Sequence, residues 1–331
     1  MNIVDSEGDE MKAIAIEEYG GSDKLKEMKI NQPVPKENEV IVELHATSIN
    51  PIDWKLREGY LKSMLPFDFP IILGWDAAGV VHEVGAKVKD YQVGDRVFAR
   101  PATTNRGTYA EYTAVDASLL AKIPDNISFA EAASVPLAGL TAWQCLFHFG
   151  NVKEGDNVLI HAGSGGVGSF AIQFAKHVGA FVATTAGTAN VEFLKSLGAD
   201  LVIDYKKQDF ENSGIVFDFV LDSLGGEIQE KSFKVLKQGG TLASIVSEPN
   251  KQQAEQRNIK AGLVWLIPNG KQLAEIAALL KNGDVKAIIG HTFPFSEKGV
   301  KDAHALSETH HAKGKIVIEI KGNAKGCFDH Q

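Results

Sequence analysis

Three glycines in the segment HAGSGGVG, Gly163, Gly165 and Gly168, keep the spacing G-x-G-x-x-G directly after an apolar run, Asn157 to Ala162, and before a helix-forming one, Ser169 to His177. A strand, a glycine loop and a helix in that order can bind a pyrophosphate. The first glycine permits a tight turn, the second lets backbone N–H groups approach the phosphates, and the third allows helix and strand to pack closely. The helix N-terminus adds partial positive charge. The glycine pattern alone also fits a plain strand–helix turn; its setting selects a dinucleotide site.

In NAD-binding proteins an acid about 20 residues further on holds the adenosine ribose. Here that stretch reads TTAGTAN, Thr184 to Asn190, without a carboxylate. Hydroxyl and amide groups tolerate and bond an extra phosphate, so NADP is expected, with Thr188, Asn190 and the nearby Tyr205 around the 2′-phosphate. The bland alternative is that the threonines only end a strand.

The elements that must hold this loop follow from the rest of the chain. Its 331 residues suggest about two domains. The balance of 34 basic against 42 acidic residues, net −8, excludes a phosphate-tracking nucleic-acid binder. Two cysteines, Cys145 and Cys327, make no disulfide framework, which suits a reducing compartment and leads to a cytoplasmic expectation. The charge-free run Asn157 to Ala175 is interrupted by glycines, so no membrane span is expected there. Residues 1–10 carry acids where a targeting peptide carries basic residues, and read as an extension; 322–331 read as a tail.

From Met11, short β-branched runs (Ala13 to Ile16, Glu39 to Leu44, Ala77 to Val84, Arg96 to Ala99) alternate with Gly and Pro, the pattern of a β-rich module. Near Ser128 the texture becomes helical, with Asp125, Asn126 and Ser128 as start signals. After Gly155 strands alternate with helices (Phe181 to Thr185, Val191 to Leu197, Leu201 to Asp204, Phe217 to Leu221, Ile228 to Leu236, Thr241 to Val246), which predicts a parallel sheet buried on both faces. A helix over Lys271 to Lys281 and a strand over Ala287 to Ile289 follow. The terminal run Gly314 to Ile320 has the character of the first module and returns the chain to it.

The ordered set NPIDWK (Asn50 to Lys55), LGWDAAGVV (Leu73 to Val81), VGDRVFA, GTYAEY (Gly107 to Tyr112), AGSGGVG, SLGADLVIDY and GKIVI resembles the medium-chain dehydrogenase/reductase superfamily from Met11 to Lys321. More narrowly it is similar to the zinc-independent quinone oxidoreductases and alkenal (enone) reductases. The resemblance implies an α/β fold: a GroES-like β-rich catalytic domain, 11–130 and 285–321, interrupted by a Rossmann domain with a doubly wound parallel sheet, 131–284. It implies NADPH in the cleft between them, often in a homodimer. Cofactor contacts are implied from Lys55, Gly166, Val167, the turn from Gly187 to Asn190, the backbone near Ile245, and the turn at Gly314 and Lys315.

Zinc enzymes of that superfamily place a cysteine ligand where this chain has Asn50, and a Gly-His-Glu motif that here reads Gly74, Trp75, Asp76; the cysteine-rich lobe falls near Pro101 to Thr108, which has no cysteine. No metal is therefore expected, since zinc needs several converging N or S donors. The ten histidines show no paired ligand spacing, so structural or solvated roles are expected for them. A metal eases removal of a hydroxyl proton from an alcohol; without one, acceptors that are already electrophilic are expected. The implied reaction is hydride transfer to a quinone or to the C=C bond of an α,β-unsaturated carbonyl.

Asn50 offers an amide to polarise the acceptor's carbonyl, and Tyr60 and Trp75 either form an aromatic wall of the substrate pocket or pack in the core. Asp53 is expected to orient its loop, and Ser247 to Ile267 to form a lid or pocket wall at the carboxyl edge of the sheet. The competing readings are a zinc-free alcohol or sugar dehydrogenase and an NADPH-binding protein of structural or regulatory role.

Overall fold

The computed structural model describes residues 9–321; the readings of residues 1–8, of 322–331 and of Cys327 concern chain outside them. Six parallel strands form one sheet in the spatial order Leu201–Asp204, Phe181–Ala186, Asn157–Ile160, Phe217–Asp222, Leu236–Ser244 and Lys260–Leu263. This is the doubly wound order in which a dinucleotide lies across the carboxyl end of the central strands. The inner strands read as unbroken apolar runs because helices cover both faces: Val158, Leu159, Ile160, Val220 and Leu242 are fully buried. Each such side chain contributes about 1.5–3 kcal/mol through the apolar surface it removes from water. Gly179 and Gly198 end their helices at φ +85° and +99°, left-handed as expected.

The sixth strand lies inside the segment read as a lid. Lys251–Gln256 is a helix and Lys260–Leu263 pairs with Thr241–Ser244 at the sheet edge. An edge strand needs no continuous apolar run, and this one, Lys-Ala-Gly-Leu, is short and lacks β-branched residues, so nothing local announced it. The strand of the last third likewise begins at Ile289 and runs to Pro294, later than expected. Ser128 alone starts the connecting helix: its Oγ accepts the Glu131 N–H at 3.2 Å while Glu131 accepts the Ser128 N–H at 2.8 Å. The helical run is divided into Phe129–Ala133, Pro136–Trp143 and a π-helical turn, Gln144–Phe149.

The second large sheet places Ile289–Pro294, Lys315–Glu319, Glu39–Ile49, Ala77–Val84, Arg96–Ala99 and Leu120–Lys122 side by side, with Tyr112–Asp116 also pairing with Glu39–Glu43. The last strand thus returns to the first module, pairing Ile316 with Ile49 and Glu319 with Ala46. Glu10–Ile16, Lys26–Asn31 and Ile71–Ile72 form a small third sheet.

Glycine-loop packing is testable at two positions. A methyl group on Gly168 would stand 2.5 Å from the Ala162 carbonyl oxygen and 2.7 Å from Gly163 Cα, backbone atoms that cannot yield, whereas on Gly165 its nearest neighbour is 3.5 Å away. Gly168→Ala is expected to cost about 1–3 kcal/mol in chemical unfolding, and Gly165→Ala less than about 0.5 kcal/mol. Equal losses in the two variants would contradict the packing role.

Candidate active site and cofactor cleft

The glycine loop is built as its spacing requires, with one exchange of roles. The left-handed residue of the turn is Ala162, at φ +52°. Gly163 is needed instead for space: a Cβ there would lie 2.0 Å from Thr184 Oγ1. The helix Gly166–His177 has no side-chain cap at its start. Its first-turn N–H groups, those of Gly166, Val167 and Gly168 among them, are therefore presented where a phosphate can take them. His161, just before the loop, is buried between Thr185 Oγ1 at 3.1 Å and Ser232 Oγ at 2.9 Å. Burial pushes its pKa down to about 4, so it is a neutral support.

At the adenosine end the structure corrects the sequence reading. The Thr184 to Asn190 turn has no acid of its own, but Asp204, at the end of the neighbouring strand, accepts the Thr188 hydroxyl at 2.6 Å. With its proton engaged there, Thr188 Oγ1 is not a donor to a phosphate in this arrangement. The hydroxyl is also the main cause holding the Asp204 carboxyl below its usual range. Asn190 Nδ2 reaches Ser164 Oγ at 3.3 Å and so ties the turn to the glycine loop. Tyr205 is 59% exposed. A methyl group on Gly187 would stand 3.4 Å from the Tyr205 hydroxyl and 3.8 Å from Lys206 Cε, so Gly187, Tyr205 and Lys206 are neighbours. Lys206 carried no sequence signal apart from its place after Tyr205.

The two domains meet on the other side of the loop. Gly314, at φ +62°, donates its N–H to Ser164 O at 2.8 Å and bridges to Gly165. The next residue, Lys315, is only 4% exposed. Its ammonium donates to Ile49 O at 3.0 Å and to Asn50 Oδ1 at 2.5 Å, and lies 3.3 Å from Asp76 Oδ2. Its stem covers Gly166, where a Cβ would meet Lys315 Cδ at 2.8 Å. Asp76, fully buried, also accepts Ser48 Oγ at 2.5 Å and Asn50 Nδ2 at 2.7 Å. Its other oxygen accepts the Leu137 N–H of the connecting helix at 2.7 Å. Asn50 is thus held at both ends of its amide. Asp53 accepts the Asn50 N–H at 2.8 Å, the orienting role expected of it.

Zinc does not fit this donor set. Asn50 and Asp76 come together, but the position between them holds an ammonium with three oxygen acceptors. Among the described residues no group of three His, Cys, Asp or Glu could hold a metal ion.

Of the remaining expected residues, Trp75 is a correction. It is 0% exposed and belongs to the catalytic-domain core with Leu56, Ile72 and Tyr109, so it is no wall of the cleft. An aromatic residue in a motif reports burial as readily as recognition. Tyr60 is 71% exposed and stands edge-on to Trp54 at 6.5 Å. Lys55 is half-buried, its Nζ 5.7 Å from the Trp54 ring centre, and burial lowers its pKa. Val167 and Ile245 are half-buried against the Rossmann core. Asp76 and Ser164 lie inside the motifs without a residue type that marks a site role, and the N–H of Leu137 has no sequence signal.

Comparison with known proteins agrees with this architecture. Residues 36–125 match the family model described as alcohol dehydrogenase GroES-like domain, and 197–318 the model described as zinc-binding dehydrogenase. The chain is 41% identical to 2-methylene-furan-3-one reductase of Solanum lycopersicum, over 93% of this chain and 79% of that protein. It is 39% identical to the chloroplastic NADPH-dependent alkenal/one oxidoreductase of Arabidopsis thaliana, with the same coverage. The quinone oxidoreductase structure from Coxiella burnetii superposes with a TM-score of 0.88 at 36% identity, covering 95% of this chain and 100% of that one. With both domains matched and these relatives aligned over more than nine-tenths of its length, the chain belongs to the medium-chain dehydrogenase/reductase superfamily, among the zinc-independent quinone oxidoreductase and enone reductase-like members.

Proposed function

We propose that this protein is an NADPH-dependent oxidoreductase that reduces a quinone or the C=C bond of an α,β-unsaturated carbonyl compound without a metal. The observation that carries the reading is the Lys315 ammonium, buried between Asn50 and Asp76 and lying on the glycine loop. A Lewis-acid metal activates an alcohol by binding its oxygen at an open position. Lys315, with all three protons directed at protein oxygens, has no such position, so alcohol oxidation lacks its activator. An electrophilic acceptor needs none. Negative charge that develops on its oxygen needs only preorganised hydrogen-bond donors in a low-dielectric cleft.

Bound NADPH supplies the hydride, and a proton completes the reduction. The chain's own contribution is binding and orientation. Gly163, Gly165, Gly166, Val167 and Gly168 take the pyrophosphate. Gly187, Asn190, Tyr205 and, newly, Lys206 surround the 2′-phosphate, with Thr188 supporting through Asp204. Lys55, Ile245, Gly314 and Lys315 flank the nicotinamide end, and Asn50 and Tyr60 the acceptor. The domains are 11–130 with 285–321, and 131–284. A homodimer and a cytoplasmic location belong to the same proposal, the latter supported by the buried free thiol of Cys145. No helix among the described residues is long and apolar enough to cross a membrane.

The decisive measurement is NADPH oxidation with 1,4-benzoquinone, 9,10-phenanthrenequinone and a short alkenal in parallel. Turnover undiminished by a chelator is expected. Failure with every acceptor on a broad quinone and enone panel, or turnover abolished by chelation, would sink the reading.

Cofactor selectivity is tested separately by fluorescence titration. Lys206→Ala is expected to weaken NADPH binding about fivefold, the upper end for an exposed charge pair, and to leave NADH binding unchanged. An equal effect on both nucleotides would remove Lys206 from the phosphate site.

A further inference from the structure

The helix Pro51–Arg57 turns two charged side chains, Asp53 and Arg57, into the catalytic-domain interior, and both are fully buried. A chain of hydrogen bonds joins them, and its direction is determined. Arg57 has only donors, so its Nη1, 3.0 Å from His304 Nδ1, makes that nitrogen an acceptor. The ring proton then lies on Nε2 and is donated to the Tyr109 hydroxyl oxygen at 3.0 Å. Tyr109 donates its own proton to Asp53 Oδ2 at 2.7 Å. That oxygen is the one accepting the Asn50 N–H. At the outer end Arg57 Nε donates to Gly20 O at 3.0 Å, Nη1 lies 2.7 Å from Glu308 Oε1, and Nη2 meets Glu58.

Every member points its donor towards Asp53. His304 and Tyr109 are both fully buried, and burial pushes the His304 pKa down to about 3, so one neutral tautomer serves both neighbours. A proton path is a poor use for this chain, because the arginine at its head does not release its proton. What it transmits is orientation and charge.

We propose that Arg57, His304 and Tyr109 are positioning residues, which hold Asp53 ionised against the Asn50 N–H and thereby fix the amide that grips Lys315. The proposal rests on Asn50 and Lys315 forming the acceptor side of the cleft. Asp53 is a demanding group to hold as an anion. Burial, the largest effect, pushes its pKa up to about 7; Asp76 adds to this, while the bonds from Asn50 and Tyr109 and the charge of Lys315 oppose it. Arg100, also buried, is the remaining charge that feels Asp53. Among the described residues the Asp53 Oδ1 atom is buried with no partner, and the relay delivers the only side-chain bond this carboxylate receives from them.

Because a carboxyl with a raised pKa gains its proton as pH falls, the wild type is expected to lose kcat below an acidic midpoint near 7. Tyr109→Phe removes a bond to the ionised form, and is expected to move that midpoint up by about one pH unit and to lower kcat about tenfold. The Kd for NADPH is expected to change less than twofold. Asp53→Asn is expected to abolish the acidic limb, and Tyr109→Phe added to it to shift nothing further. In the resting wild type, 15N NMR is expected to show the His304 proton on Nε2, and infrared difference spectra a carboxyl band titrating at the same midpoint. These two readouts need no substrate, so they hold even if the acceptor panel fails. An unchanged acidic limb in Asp53→Asn, additive shifts in the double variant, or the His304 proton on Nδ1 would overturn the relay. If Tyr109→Phe does not fold, the Asp53→Asn profile and the tautomer decide.

Discussion

A buried ammonium is the constraint on which the cleft depends. Taking an ion of that size out of water carries an effective penalty of several kcal/mol, repaid only by good geometry and full hydrogen bonding. Lys315 meets that condition with one carboxylate, one amide oxygen and one backbone carbonyl, which come from the ends of two different strands. None of the three can move alone. Loss of Asp76 would take from Lys315 the carboxylate it touches, and loss of Lys315 would take from Asp76 its nearest cation. The register of Ile316 with Ile49 follows from the same requirement, since it delivers Lys315 to the end of the strand that Asn50 terminates.

That constraint also explains the division of the chain. Lys315 has to touch both the Asn50 turn and the glycine loop, so the strand carrying it has to leave the Rossmann domain and re-enter the first module. The Gly314 N–H on Ser164 O and the Asp76 carboxylate on the Leu137 N–H close the seam from both sides. A glycine at 314 follows from its left-handed φ and from the Ile288 carbonyl oxygen, 2.5 Å from where a Cβ would stand. Movement of one domain against the other has to strain these bonds. The distance between the glycine loop and the Asn50 turn is therefore set by the fold itself.

What could be read in advance follows the range of the interaction. The Rossmann strands were legible because burial on both faces leaves a local, continuous apolar signature, and Leu201–Asp204 fell where it was expected. The edge strand Lys260–Leu263 was not, because half its surroundings are solvent. The glycine spacing identified the loop, yet the left-handed residue is Ala162, since spacing does not say which residue of a turn carries the unusual dihedral. Trp75 was legible as an aromatic in a motif, and only packing could decide that it belongs to the core. The Arg57–His304 contact spans 247 positions and has no local periodicity to announce it.

The adenosine end shows how such a miss changes the chemistry. Absence of an acid in the Thr184 to Asn190 turn argued for a phosphate, but the sheet order places a second strand end beside the first, and with it Asp204. An isolated carboxylate there would repel a phosphate. This one accepts the Thr188 hydroxyl and the Lys206 N–H, at 3.1 Å, and lies 3.5 Å from Lys207 Nζ. With Lys206 and Lys207 the local sum is one positive charge, which favours an anion at short range and fades over about 8–10 Å in physiological salt. In the proposed phosphate site the selectivity would then come from the two lysines that follow Tyr205, while Thr188 orients Asp204 beside them.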